Sequence, residues 1–397
     1  MAISVLIAVA AALIGGCFVL IAIVGLARPG RTGRIAVGLV LAGVVASTVV
    51  GGLSPHWLSP THWRWWYRLT MTGLPVLLYV SLALLLAWAG RGLWSLARRR
   101  SRRRPPTTSR SAPPSRAGRI LVVLAVSCGL GVTGWGYAVS LHPVIRPVTI
   151  VSQRLPADFD GYTIALLTDL HLGPTIDERY LRQVVDQVNA AQPDLIVIAG
   201  DVIDGTPAQL GPELTALTEL SAPDGVVVTT GNHELRFGVK AWIAYFRQLG
   251  LTVLDNDGLE LARGASSIDL LGINDRQATG AYAPDLRLAA ERLHQASGVP
   301  VDGTGRYRIL IAHEPRQARD DDDLAASLGV DLQLSGHTHA GQFWPLGYYQ
   351  DLVQGGSQGV RVIGGVTVVI SAGLGSSISP VRVDATAEIP LITLTSA

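Results

Sequence analysis

Cysteine is nearly absent: Cys17 and Cys128 are the only two in 397 residues, and both stand inside apolar stretches. No disulfide framework and no Cys-rich zinc site is therefore encoded. Lysine is scarcer still, with Lys240 alone, which we read as a coding preference for arginine. Negative charge is missing from the first part of the chain. Every Asp and Glu lies at Asp158 or later, and Arg is the only charged residue type in the first 120 positions. Charged residues make up only 16% of the chain against 48% apolar, a balance that points to membrane insertion of part of it. The formal net charge of +2, with no helix-turn-helix or RNA-binding motif, gives no ground for a nucleic-acid partner. The length predicts two or more structural units.

What the chain has in quantity is long apolar runs. Four of them, Ile3 to Leu26, Ile35 to Leu53, Gly73 to Gly90 and Ile120 to Leu141, reach the roughly 20 residues that a helix needs to span a bilayer. The first has no basic start and is too long for a signal peptide, so it is read as a span. Basic residues in short loops stay on the cytoplasmic side. Arg28, Arg31 and Arg34 mark the first loop; Arg98, Arg99, Arg100, Arg102, Arg103, Arg104, Arg110 and Arg116 mark the third. The third loop, around 91–119, is expected to be a basic cytoplasmic linker, and its Pro/Ser/Thr stretch with Arg110 and Arg116 reads as disordered. The second loop has only Arg64 and Arg68. A multi-pass plasma-membrane region over 1–146 is expected, with everything after Leu141 extracytoplasmic. The second loop also carries His56, Trp57, Trp63, Trp65, Trp66 and Tyr67. These suit a headgroup-level anchor, or alternatively a docking surface beneath the soluble half.

From Pro147 the pattern changes. Short apolar runs bounded by polar or turn residues, at Thr163–Leu167, Leu195–Ala199, Val226–Thr229, Ile309–Ala312 and Leu332–Leu334, read as buried strands. Helical stretches lie between them, at Glu178–Ala190, Val239–Leu249 and Pro284–Gln295, and further strands follow at Gly359–Ile363, Thr367–Ser371 and Ile389–Leu394. Two packed sheets with helices outside are expected over residues 147–397.

Five polar clusters each end a hydrophobic run: Asp169-Leu170-His171, Gly200-Asp201 with Asp204, Gly231-Asn232-His233-Glu234, His313, and Gly336-His337-Thr338-His339. Carboxylates, a carboxamide and imidazoles are hard or borderline donors that suit divalent cations. Residues at i and i+2 of an extended segment point the same way, so Asp169 and His171 are expected to reach one ion from the end of their strand. Ligands gathered at the carboxyl ends of neighbouring strands are where open α/β sheets place their sites. Phosphate esters resist hydrolysis because a nucleophile must approach an anion and the leaving oxygen must accept charge. Two metals about 3.5–4 Å apart address both problems.

The blocks resemble the D-x-H, G-D-x-x-D, G-N-H-[ED], single H and G-H-x-H motifs of the calcineurin-like metallophosphoesterase family, over roughly Thr149 to Leu394. Thr168–Gly173, His313-Glu314-Pro315, Gly336–Gln342, and Gly373-Leu374-Gly375 with Pro380, Arg382 and Glu388 look most like its membrane-anchored bacterial members. Ala340 stands where many relatives have a second Gly. The resemblance implies an α/β fold, a four-layer α-β-β-α sandwich, here preceded by four transmembrane helices. It implies that Asp169, His171 and His339 bind one metal, that Asn232, His313 and His337 bind the other, and that Asp201 bridges them. The cofactors would be two divalent ions, Mn, Fe or Zn. A hydroxide bridging the metals would attack a phosphate mono- or diester, with His233 as proton donor to the leaving group and Asp204 orienting His233 and raising its pKa.

Other residues receive plainer readings. His56, His62, His142 and His294 are expected to be structural or solvated. The run Asp320–Asp323 lacks the alternation of a calcium loop and reads as a solvated helix start. Phe343, Trp344, Pro345, Tyr348 and Tyr349 either pack in the core or line the entrance for an apolar substrate. The tether from Leu141 to Thr149 spans less than roughly 30 Å, which favours a lipid-linked or envelope phosphoester. The alternatives are a pyrophosphatase acting on a nucleotide-linked lipid, and a membrane sensor or scaffold that binds metal without turnover.

Overall fold

The computed structural model describes the backbone of residues 2–53, 58–101, 116–320, 322–376 and 378–397, and side chains within 12–53, 58–97, 116–320, 323–376 and 378–397. His56, Trp57, Arg102, Arg103, Arg104, Arg110 and Asp321 lie outside the described residues. The chain divides into two compact units: Met1–Leu58 with Trp65–Ala138, and Ser59–Arg64 with Val139–Ala397.

The first unit is helical, over Ala2–Ala27, Arg31–Leu53, Arg64–Met71, Gly73–Ser101 and Arg116–Ser140. Among the described residues three helices are long and apolar enough to cross a membrane, Arg31–Leu53, Arg64–Ala97 and Arg116–Ser140, with a shorter apolar helix over Ala12–Ala27. The basic stretch does not leave the helix at Gly90 as the linker reading expected: the third long helix runs on through Ser101. Leu, Ala and Arg are good helix formers, so nothing between residues 91 and 101 stops the ladder. These helices turn large apolar side chains outward, Leu39 and Leu86 among them. Where they meet, small residues let the backbones approach. A Cβ on Gly129 would lie 2.7 Å from the Val80 nitrogen.

The second unit is built on two six-stranded sheets. Its strands are β1 (Val144–Ser152), β2 (Thr163–Leu167), β3 (Leu195–Ala199), β4 (Val226–Thr229), β5 (Thr252–Val253), β6 (Asp257–Arg263), β7 (Ser266–Gly272), β8 (Arg308–Ile311), β9 (Leu332–Ser335), β10 (Gly359–Ile363), β11 (Val366–Ile370) and β12 (Glu388–Ser396). The first sheet has the order β1-β12-β2-β3-β4-β5 and the second β10-β11-β9-β8-β7-β6. β2 to β5 run parallel, β12 is antiparallel to β2, and β1 is parallel to β12. The start of β1 therefore lies at the same end of the sheet as the carboxyl ends of β2, β3 and β4.

Alternation along each strand divides the core. Ile164, Leu166, Val197 and Val227 of the first sheet join Leu270, Ile309, Ile311, Leu334 and Val369 of the second in one buried cluster. The opposite register, Ala165, Leu167, Ile196, Ile198 and Val228, packs with Val184, Val188, Trp242 and Phe246 from the helices Glu178–Ala191 and Val239–Gln248. Leu271, Leu310 and Val368 likewise meet Leu286, Ala290 and Leu293 of the helix Leu286–Ser297. β2, β3 and β4 match the sequence reading residue for residue. β1, β5 and the β6–β7 hairpin were not expected, because their runs are polar, short or interrupted by Pro147.

Candidate metal centre

The ligand-type residues sit on the loops that leave β2, β3, β4, β8 and β9. The loops are not extended, as the i, i+2 argument assumed. Asp169, His171, Asp201, His337 and His339 all have positive φ, between 46° and 70°. Non-glycine residues seldom adopt this left-handed region, at a cost of about 1–3 kcal/mol each, and such strain gathers where a fold over-determines functional geometry. Two glycines make the close approach possible. A Cβ at Gly336 would fall 2.3 Å from Asp169 Oδ2, and one at Gly231 would fall 2.3 Å from Asp201 Oδ1.

Three groups of donors result, Asp169 with His171 and His339, Asp201 with His313 and His337, and His171 with Asp201 and His233. Within each, one potential ligand atom per residue lies within 4.8 Å of the others. In the first group His171 Nε2 and His339 Nε2 are 3.0 Å apart, and His339 Nε2 is 3.5 Å from Asp169 Oδ1. In the second, His313 Nε2 is 3.2 Å from Asp201 Oδ2 and 3.3 Å from His337 Nδ1. Asp201 belongs to both neighbourhoods, since His171 Nε2 is 3.8 Å from the same Oδ2. The pair His337 and His339, two apart in sequence, is split between the groups by the left-handed turn at residues 337–340. Asn232 opens the helix Asn232–Phe237 beside Asp201, and its buried Oδ1 has no hydrogen-bond partner in the protein. An orphaned buried acceptor among convergent imidazoles and carboxylates fits a divalent cation.

The surrounding bonds set which nitrogens are free. His313 Nδ1 donates to the Ala199 carbonyl at 2.8 Å, which leaves Nε2 to face Asp201. Burial disfavours charge on Asp201, but His313 and His233 outweigh it and hold the carboxyl well below the usual range. Burial, then His171 and the Arg382 guanidinium, push His339 well below the ordinary histidine range, so its ring is neutral and a lone pair is available.

His233 lies at the edge of this cluster. Its Nε2 is 3.9 Å from Asp201 Oδ2, its backbone N–H donates to Asp201 Oδ1 at 2.8 Å, and its Nδ1 is bonded to Asp204. Burial opposes protonation, yet the Asp201 and Asp204 carboxylates prevail and raise His233 to about 9. Asp204 Oδ1 also accepts from His171 Nδ1 at 3.1 Å, so one carboxylate orients a ligand-type ring and the protonated one beside it. The other histidines lie elsewhere: His294 Nδ1 bonds the Val299 carbonyl and His62 Nδ1 the Ser59 hydroxyl.

Three residues matter more than the sequence reading allowed. Glu234 Oε2 accepts from the Asp201 and Gly231 amides and Oε1 from the Val202 amide, stitching two ligand loops together. Burial, then Asp201, pushes this carboxyl up to about 7. Arg382, fully buried, donates to the carbonyls of Gly375, Ala372 and Ala385 and places Nη2 3.2 Å from His339 Nδ1. Arg64, counted before only toward membrane topology, donates from Nε to the Gly173 carbonyl at 2.6 Å and forks onto Glu213 at 3.0 and 2.6 Å. The local signal for Glu234 was its place three residues into a helix start. Arg64 gave none and Arg382 only a family resemblance without a role, because their partners are distant in sequence. Of the aromatic stretch after the last ligand pair, Phe343 is buried whereas Trp344, Tyr348 and Tyr349 are exposed, so core packing holds only for the first.

The class the fold and site define is a mixed α/β domain that gathers candidate metal-binding His and Asp residues at its strand ends. Residues 162–341 match the calcineurin-like phosphoesterase family. The chain is 32% identical over 327 residues to a Bos taurus transmembrane protein with metallophosphoesterase domain, covering 79% of this chain and 68% of that one. It is 31% identical to the Bacillus subtilis metallophosphoesterase YkuE, over 66% of this chain and 90% of that one. A putative metallophosphoesterase of Caenorhabditis elegans is 31% identical over 65% of this chain, and the match spans about half of that protein, 54%. The chain belongs to the calcineurin-like phosphoesterase family.

Proposed function

We propose that the protein is a membrane-anchored phosphohydrolase that cleaves phosphate mono- or diesters with two divalent ions. Asp169, His171 and His339 would hold one ion, Asn232, His313 and His337 the other, and Asp201 both. Two such ions supply an activated water and neutralise phosphoryl charge. The chain's own part is to fix and to move protons. Asp204 holds His233 by Nδ1, so that Nε2–H faces the cluster and can protonate a leaving oxygen. Glu234 keeps the Asp201 and Asn232 loops in register.

The observation that supports this reading is the gathering of six His and Asp donors, with the unpartnered buried Asn232 Oδ1, beside an imidazole paired with a carboxylate. A sensor that only binds metal has no use for the His233–Asp204 pair. The test is turnover of p-nitrophenyl phosphate and its bis ester with added Mn²⁺. Activity that survives in Asp201→Ala would sink the proposal.

The further reading is a four-layer α-β-β-α domain over residues 147–397, with β1 beginning slightly earlier, carried by four plasma-membrane spans with the catalytic side extracytoplasmic. The basic residues of the first and third loops support that orientation. The helix Arg116–Ser140 and β1 are separated by three residues, which supports a lipid-linked or envelope substrate. Hydrolysis of nucleotides far faster than of phospholipid or isoprenoid phosphates would overturn the substrate class. Preferred cleavage of a nucleotide-linked lipid pyrophosphate would instead favour the pyrophosphatase.

A further inference from the structure

The segment that follows the last ligand pair has an apolar outer face. Trp344 is 46% exposed, Leu346 47%, Tyr348 71%, Tyr349 62% and Leu352 80%. Isolated exposed apolar residues are ordinary, but a cluster of large ones on a short helix marks an interaction surface. The helix is Gly347–Gln354, and Tyr348 and Tyr349, four and three residues before Leu352, each neighbour it on the helix surface. Trp and Tyr are the residues that settle at lipid headgroups, with an apolar ring body and a polar handle.

Three features of this unit say what lies against that face. Trp344 N–H donates to the Val383 carbonyl at 3.0 Å, and Gln342 Nε2 to the Val381 carbonyl at 3.2 Å. One residue earlier in that strap, the Pro380 carbonyl accepts from Ser140 Oγ at 3.0 Å, and Ser140 is where the apolar helix Arg116–Ser140 ends. β1, which follows that helix, starts at the ligand-bearing end of the first sheet. Arg64, which lies between two further apolar helices, is fixed to Gly173, two residues beyond His171. Both places where the chain passes into apolar helices are thus at the end of the sandwich that carries the candidate ligands.

We propose that the Trp344–Leu352 face rests in the headgroup layer of the bilayer that holds those helices, so that the mouth of the metal centre opens toward lipid. This deepens the lipid-linked substrate reading and depends on the membrane spans, not on turnover. The helix Gly347–Gln354 contains no Lys or Arg. Its one charged residue is Asp351, so docking is by apolar burial and gains nothing from anionic lipid.

The experiment uses the full chain in phosphatidylcholine nanodiscs, in a Cys17→Ala, Cys128→Ala background. An environment-sensitive fluorophore is attached at Leu352→Cys or, as control, at Thr304→Cys, an exposed position before β8 at the opposite end of the strands. Brominated lipid should quench the Leu352→Cys label roughly two- to threefold more than the control, as expected for a group reaching the headgroup–acyl boundary, and equally at low and high salt. Equal quenching at both positions overturns the proposal, with iodide access separating two causes. A Leu352→Cys label open to iodide means a bare surface, and one shielded from both quenchers means a second copy or another protein covers it. Turnover of bis-p-nitrophenyl phosphate by the same samples separates the two readings. Lipid quenching without turnover sustains the docking and removes the catalytic reading; turnover without lipid quenching does the reverse.

Discussion

The two units use the same apolar residue types toward opposite solvents. In the helical unit Leu39 and Leu86 point outward and glycines such as Gly129 lie where helices meet. In the sandwich, Leu166, Val197 and Ile311 are fully buried, and polarity is concentrated at the strand ends. Apolar burial drives the second arrangement in water, whereas lipid around the first, as proposed above, would offer no such gain and leave close packing to hold helices together. Strain follows the same division: five ligand-type residues of the sandwich carry left-handed backbone, while the only positive-φ non-glycine residue among the described helical segments and their links is Arg28.

The contrast can be broken at its most sensitive point first. Asp201→Ala should lower bis-p-nitrophenyl phosphate turnover by on the order of 10³-fold, since one carboxylate would serve both proposed ions. Circular dichroism should show an intact fold. Leu166→Ala, between the sheets, should cost about 2–5 kcal/mol of stability, read as a fall in unfolding midpoint, whereas Leu86→Ala on an outward helix face should change it by less than about 0.5 kcal/mol. His233→Ala should cost roughly 10²-fold in turnover of an alkyl phosphoester and less with a p-nitrophenolate leaving group, which needs little protonation. The smallest effect is a pH shift. Asp204 helps raise His233, which is protonated below about 9 and loses its proton as pH rises through that value. Asp204→Asn removes that support, so the alkaline limb of the pH–rate profile should move to lower pH. An unmoved alkaline limb would separate Asp204 from proton donation.

Much of this was legible in the sequence because its signals are local. β2, β3 and β4 announce themselves as short buried runs, and each ligand block sits within four residues of a strand end. The left-handed turns were not legible, since nothing in Asp-x-His or His-x-His distinguishes an extended pair from a kinked one. The kink decides that His337 and His339 part company. Nor could the sequence reveal that Arg382 lies against His339 or Arg64 against Gly173, because those contacts exist only after distant segments pack. The aromatic residues after His339 misled in part: composition says apolar, and only the fold says that Tyr348 and Tyr349 face outward.

The place of β12 has a consequence for how the molecule is made. It lies between β1 and β2, pairing Val144 with Glu388 and Ile164 with Ile392, residues more than two hundred positions apart. While the ribosome is still making the intervening segments, both neighbours have an open edge and the first sheet has a gap. Contacts of such long separation form late and slowly. The Asp169 loop leaves β2 at that gap, so the ligand cluster can reach its final shape only after residues 388–396 have slotted in. Maturation of the candidate metal centre is thereby tied to the synthesis and docking of residues 388–396.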